Sequence, residues 1–255
     1  MLLCQFVLLC FILLTTDNLP IFVFDIAFQS LFESLAPSQV RRLVLFENFN
    51  QQYPISFVGG VSECEAIRTP AFDVSEAVAR ASLSLEYLSA SFIVDASYFF
   101  DSREPFWRWS NLTSLALTSQ LLAPGESPVE IDNMLRSAAA AAMNMPRLET
   151  MEIWNGREGL AMLFRYQLLG GGRPAVITCR GTWEFTLRTP VVQAWEGVAL
   201  KNHGQGCVIV KDLLNDGIES HGDAIHHLKL SSLVIRPISL QQIRMEHRIC
   251  KGVKK

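Results

Sequence analysis

Leu112-Thr113-Ser114-Leu115-Ala116-Leu117 and, 36 residues on, Leu148-Glu149-Thr150-Met151-Glu152-Ile153 repeat one apolar spacing. Alternating apolar positions over so short a run describe a strand with one buried face. Between them lie a loop with Pro124 and Gly125, then a helical segment from about Pro128 to Met145, stopped by Pro146. Ser127 and Glu130 frame the helix start as a capping box, with proline at the first helical position, where a missing N–H costs nothing. Ile131, Met134, Leu135, Ala138, Ala142 and Met145 share one face of that helix, and the run Ala138–Ala142 reads as close packing against a sheet. A strand–helix–strand unit of this length points to a repeat architecture.

The same spacing starts at Val40, Leu85, Leu112, Leu148 and Ile225, at intervals of 45, 27, 36 and 77 residues. Those intervals are too irregular for a standard leucine-rich repeat, and only Asn48 fills the asparagine position. The fold expected is an irregular leucine-rich-repeat-like α/β solenoid with a parallel sheet, outer helices and an inserted β-hairpin. The hairpin is read from Leu160–Leu168 and Pro174–Cys179, joined through Gly170, Gly171 and Gly172, with Trp183–Leu187 extending its second strand. Asp73 and Glu76 form a second capping box. Helices are expected over 19–35, after Pro190, and over about 239–248. Strands are expected at Cys207–Val210, Ile225–Leu230 and Leu233–Ile235, and loops at 50–72 and 94–108.

Hydrophobic residues make up 49% of the 255 and charged residues 18%, which predicts a substantial core in one domain, 19–249, rather than disorder. A net charge of −3 without a basic run excludes nucleic acid as an expected partner. Leu2–Leu14 is apolar apart from Gln5. It has the length of a secretory h-region but no basic flank, so segment 1–18 reads as a signal peptide or as a misplaced start outside the core. Scattered cysteines (Cys4, Cys10, Cys64, Cys179, Cys207 and Cys250) read as reduced thiols, and residues 250–255 as a basic tail. A cytoplasmic or nuclear location is expected; the alternative is secretion or membrane association through residues 1–24. Asn111-Leu112-Thr113 is a glycosylation sequon that matters only in the secreted case.

Arg42-Leu43-Val44-Leu45-Phe46-Glu47-Asn48-Phe49-Asn50, Leu88–Asp95, Leu112–Ser119, Met151–Gly156 and Ser220–Leu228 together resemble a fungal family known only as a domain of unknown function (DUF6546), over about residues 40–249. The resemblance assigns no catalytic residues. It implies relatives with an F-box-like segment ahead of leucine-rich-repeat-like strands, and so a substrate-recognition part related to F-box proteins. Leu19-Pro20 matches the opening of an F-box, with Phe22 in place of its acidic residue.

Two functions remain. The first is a non-enzymatic interaction module with a protein partner, no cofactor and no small-molecule substrate. Its open sheet face would carry Tyr87, Ser89, Ser114, Thr118, Glu152, Trp154, His227 and Lys229, with Trp154 as the anchor. The second is a metal-dependent enzyme using His221, Asp223 and His247. Against it, Gly222 and Asp223 read as a turn before a strand that sends His226 and His227 to opposite faces. On the first reading Leu115→Ala costs about 2–5 kcal/mol, and Thr118→Ala changes stability by no more than about 0.5 kcal/mol.

Overall fold

The computed structural model describes residues 6–12, 40–48, 70–215 and 217–252. Among the described residues eight strands form one open sheet in sequence order: β1 (Phe6–Ile12), β2 (Arg42–Asn48), β3 (Tyr87–Asp95), β4 (Ser114–Thr118), β5 (Thr150–Arg157), β6 (Leu160–Gln167), β7 (Ala175–Gly181) and β8 (Cys207–Leu213). β1 to β5 are parallel, β6 is antiparallel to both its neighbours, and β8 is parallel to β7. The repeated spacing sets the register. Leu43, Leu88, Leu115 and Met151 stand side by side across β2 to β5, and so do Leu45, Ala90, Leu117 and Ile153. A one-residue slip would turn every one of these side chains to the other face.

That aligned face packs against α1 (Phe72–Ala81), α2 (Ala96–Asp101), α3 (Pro128–Ala142) and α4 (Thr189–His203). The alanine run does what its size allows: Ala138, Ala139, Ala141 and Ala142 are buried. Trp195 is fully buried on α4 and donates from Nε1 to the Leu135 carbonyl at 3.1 Å, which ties α4 to α3. Neither expected capping box forms: Ser127 is the N-cap of α3 without a side-chain cap bond, and α1 starts at Phe72 behind Ala71. α2 falls in the segment read as loop. Its cap is Asp95, whose Oδ1 accepts from the Ser97 N–H at 2.8 Å.

β3 departs from its register where β4 ends: Ala90 pairs with Leu117, but Asp95 pairs with Thr118. The extra residues bulge, with Phe92 at φ +66°, a conformation that costs a bulky side chain energy. Thr118 holds the bulge. Its hydroxyl accepts from the Phe92 N–H at 2.7 Å and donates to the Val94 carbonyl at 3.1 Å. The bulge turns Phe92 onto the sheet's second face.

The hairpin of β6 and β7 forms as expected, with Gly170, Gly171 and Gly172 all at positive φ, but β7 ends at Gly181 and Trp183–Leu187 is not strand. Three other expectations are overturned. Ile225–Leu230 does not form a strand: His221–Leu228 is a helix, α5, because Ala224, Ile225 and Leu228 also recur at helical spacing and Ser220 caps it by accepting from the Asp223 N–H at 3.1 Å. Leu233–Ile235 is an irregular linker to α6 (Pro237–Gly252), the helix expected near 239–248. Phe6–Ile12 pairs residue by residue with β2, so this part of the 1–18 segment belongs to the sheet. The helix read over 19–35 and residues 50–69 of the expected loop lie outside the described residues. Among the described residues no helix is long and apolar enough to cross a membrane.

Leu115 is fully buried between the sheet and the helices, so Leu115→Ala is expected to cost about 2–5 kcal/mol. Thr118→Ala removes the acceptor of the Phe92 N–H and is expected to cost about 1–3 kcal/mol, not the small change of a surface site. Denaturant melts of both variants check this, and a Thr118→Ala effect below about 0.5 kcal/mol would show that the bulge does not need its bracket.

Candidate functional site

The second sheet face carries Tyr87, Ser89 and Ser91 on β3, Ser114, Ala116 and Thr118 on β4, and Glu152 and Trp154 on β5. The sequence places these side chains together, and the structure does too. The face is nevertheless not open. Residues 218–243 lie across it, and Ile218, Ala224, Ile225, Leu228, Val234, Ile235 and Ile243 form a second core with Phe46, Phe92, Ala116, Trp154, Ala161 and Leu163. Tyr87, Ser89, Thr118, Glu152 and Trp154 are buried, Ser114 and His227 are half-buried, and only Lys229 is exposed. Gly156 allows the close approach: a Cβ there would meet the Ala224 Cβ at 2.4 Å.

Glu152 fastens the cover. Its side chain has no solvent exposure, and it accepts from Arg165 Nε at 2.7 Å, from the Ser231 N–H at 2.8 Å and hydroxyl at 3.2 Å, and through Oε2 from the Ser232 N–H at 2.8 Å. Arg165 also donates to the Lys229 carbonyl. The Tyr87 hydroxyl donates to the Leu233 carbonyl at 3.0 Å, and burial pushes its pKa up to about 12. The Ser114 and Ser232 hydroxyls meet at 3.1 Å. Tyr87, Ser114 and Glu152, expected to recognise a partner, thus bond to residues 231–233 of the same chain, while Thr118 bonds to β3.

His221 sits under this cover with Phe46 and Phe92 rings at 6.2 and 5.8 Å. Its Nε2 lies 2.9 Å from Asn48 Oδ1. Burial, with a contribution from His247, pushes its pKa down to about 4. Asp223 is not free for a metal, because its Oδ1 accepts from Arg244 Nε at 2.8 Å. Among the described residues no three His, Cys, Asp or Glu side chains converge as a metal site. Cys179 and Cys207 are unpaired thiols whose pKa values burial raises to about 12 and about 11, which suits inert packing rather than nucleophilic attack.

Among the described residues a groove and a strand edge are open to solvent, beside single exposed apolar side chains such as Phe106 and, on α6, Ile238, Met245 and Ile249. A shallow groove of about 640 Å³ runs between α3 and the segment before α4, but its Arg188 is committed to Asp132 and to the Pro128 carbonyl. The strand edge is β8, the outermost strand after β7. Val208, Ile209, Val210 and Leu213 are 39 to 52% exposed along it. The sequence shows this run as apolar, and apolar on both faces reads as a buried strand. Its position at the edge follows from strand order, which the sequence does not carry locally.

Residues 35–236 match the model of a family of unknown function, DUF6546. No curated protein and no solved structure matches the chain.

Glu152→Ala is expected to cost about 3–5 kcal/mol, because it strands Arg165 and two backbone donors under the cover, whereas Lys229→Ala should change stability by under about 0.5 kcal/mol. Equal effects in urea melts would contradict the fastening role. A pH titration of stability tests His221. The folded pKa lies below the ordinary 6.5, so the unfolded chain takes up the proton first as pH falls. Stability is therefore intact above about pH 6.5 and declines toward pH 4, by roughly 3 kcal/mol for this group. His221→Gln should flatten that decline; an unchanged profile would place the acid sensitivity elsewhere.

Proposed function

We propose that this chain, which belongs to the DUF6546 family of unknown function, is a non-enzymatic protein-interaction module that takes up its partner by strand addition along β8. The observation that carries the reading is the row Val208, Ile209, Val210 and Leu213, exposed on the outermost strand of an open sheet. An apolar strand edge presents unpaired backbone donors and acceptors beside side-chain surface that gains by leaving water. Main-chain bonds then give affinity, and alternate side chains give specificity.

Two further points support the reading. Strands in sequence order with α1 to α4 on one side are how a short, irregular leucine-rich-repeat-like solenoid is built, and solenoids serve as binding scaffolds. Tyr87, Ser114 and Glu152 on the second face hold residues 231–233 instead of a reactant. Within the family resemblance, such a module is the substrate-recognition part of an F-box-like assembly, acting in the cytoplasm or nucleus.

Affinity capture with the full chain tests this. The paired change Val208→Lys and Val210→Lys puts charge on the β8 edge without entering the core. Proteins retained by the wild type should fall at least tenfold on this variant and stay on Lys229→Glu. An unchanged set on the β8 variant would refute recognition through this strand.

A further inference from the structure

We propose that the strand added to β8 is β8 of a second copy of this chain, joined antiparallel about a two-fold axis through Val210, so that two sheets continue into one. This rests on the reading of β8 as the recognition edge. The backbone orientation comes first. The Gly206 carbonyl accepts from the Ala175 N–H at 3.0 Å, and the Leu214 N–H donates to the Gly181 carbonyl at 2.8 Å. Both lie on the β7 side, so the even-numbered residues bond to β7. Cys207, Ile209, Lys211 and Leu213 therefore direct their N–H and C=O groups outward.

The side chains then choose the register. A two-fold axis normal to the sheet keeps each face on its own side, so residues that oppose one another have the same parity. Centring on Lys211 opposes two lysines, and centring on Asp212 opposes two aspartates; both are unfavourable. Centring on Ile209 leaves Asp212 and Leu213 opposite loop residues. Centring on Val210 pairs the whole of Cys207–Leu213 with itself. Val210 then meets Val210, Ile209 lies along the Lys211 stem, and Cys207 meets Leu213. Val208 meets Asp212, whose carboxylate already accepts from Arg180 Nε at 2.7 Å. The outward groups Cys207, Ile209, Lys211 and Leu213 fall opposite one another, giving up to about eight ladder bonds.

Apolar side chains on both faces of the edge fit this partner, because the added strand brings the same two-sided pattern. The two-fold closes the contact, so pairing ends at two copies. No other described strand lies on this side of β8.

Sedimentation of the full chain and mild oxidation of cysteine variants test the proposal. The wild type is expected at twice its chain mass, and a Val208→Asp, Val210→Asp pair, which sets carboxylates opposite one another and opposite the Asp212 carboxylate of the second copy, at chain mass with an unchanged melt. Val210→Cys should give a cross-linked dimer absent from the wild type, since a directly opposed pair not joined by backbone bonds brings its Cα atoms to about 4.5 Å. Val208→Cys should not, because its counterpart lies four residues away. A dimer that survives the paired aspartates, or that cross-links through Val208→Cys, overturns this register. A monomeric wild type whose captured protein is still lost on the lysine variant overturns self-pairing and leaves strand recognition of another protein standing. A monomer whose captured set is unchanged overturns both.

Discussion

A carboxylate shut away from water needs donors in place of the water it has lost, and Glu152 has four: Arg165 Nε, the Ser231 amide and hydroxyl, and the Ser232 amide. Two of them are backbone groups of the linker between α5 and α6. Without that linker Glu152 would keep Arg165, which faces it from β6, and lose its other three donors, so sheet and cover are bound into one unit. The second core, the burial of Trp154 and the neutral state of His221 all follow from that closure. It also moves the question of function, since a face that is filled by its own chain has no room for a partner.

The helix-facing half of the sheet was legible because its pattern repeats. Leu43, Leu88, Leu115 and Met151 line up across four strands as their spacing requires. The opposite face was misread as open for a physical reason. Alternation shows that Ser89, Ala116 and Glu152 are not in the first core, yet it does not say that they face water. Their small size was the available signal: Ser89, Ser91 and Ala116 with Gly156 on neighbouring strands let another layer approach closely. Ile225 and Leu228 fit a strand of the repeat, but Ser220 and Asp223 three residues apart mark a helix start. The Phe92 bulge was not legible, because it depends on Thr118 from the next strand.

β8 is the converse case. A run apolar on both faces is the signature of a central strand, and here it stands last in the order. Among the described residues nothing pairs with its outer edge, and the strand addition proposed above would satisfy its backbone and both of its faces together. The proposed recognition at an edge and the sealed second face belong to one arrangement: the C-terminal cover fills the broad face and leaves the β8 edge.

Locking the cover tests this arrangement most directly. The Ser114 and Ser232 hydroxyls lie 3.1 Å apart, so Ser114→Cys with Ser232→Cys places two thiols where a disulfide bridges the sheet to the linker. The oxidised, locked protein is predicted to keep its native fold and the full association of the reduced form, because the proposed recognition lies at β8. Loss of association on locking, restored by reduction, would show that the cover must open and that the face bearing Glu152 and Trp154 is the working surface.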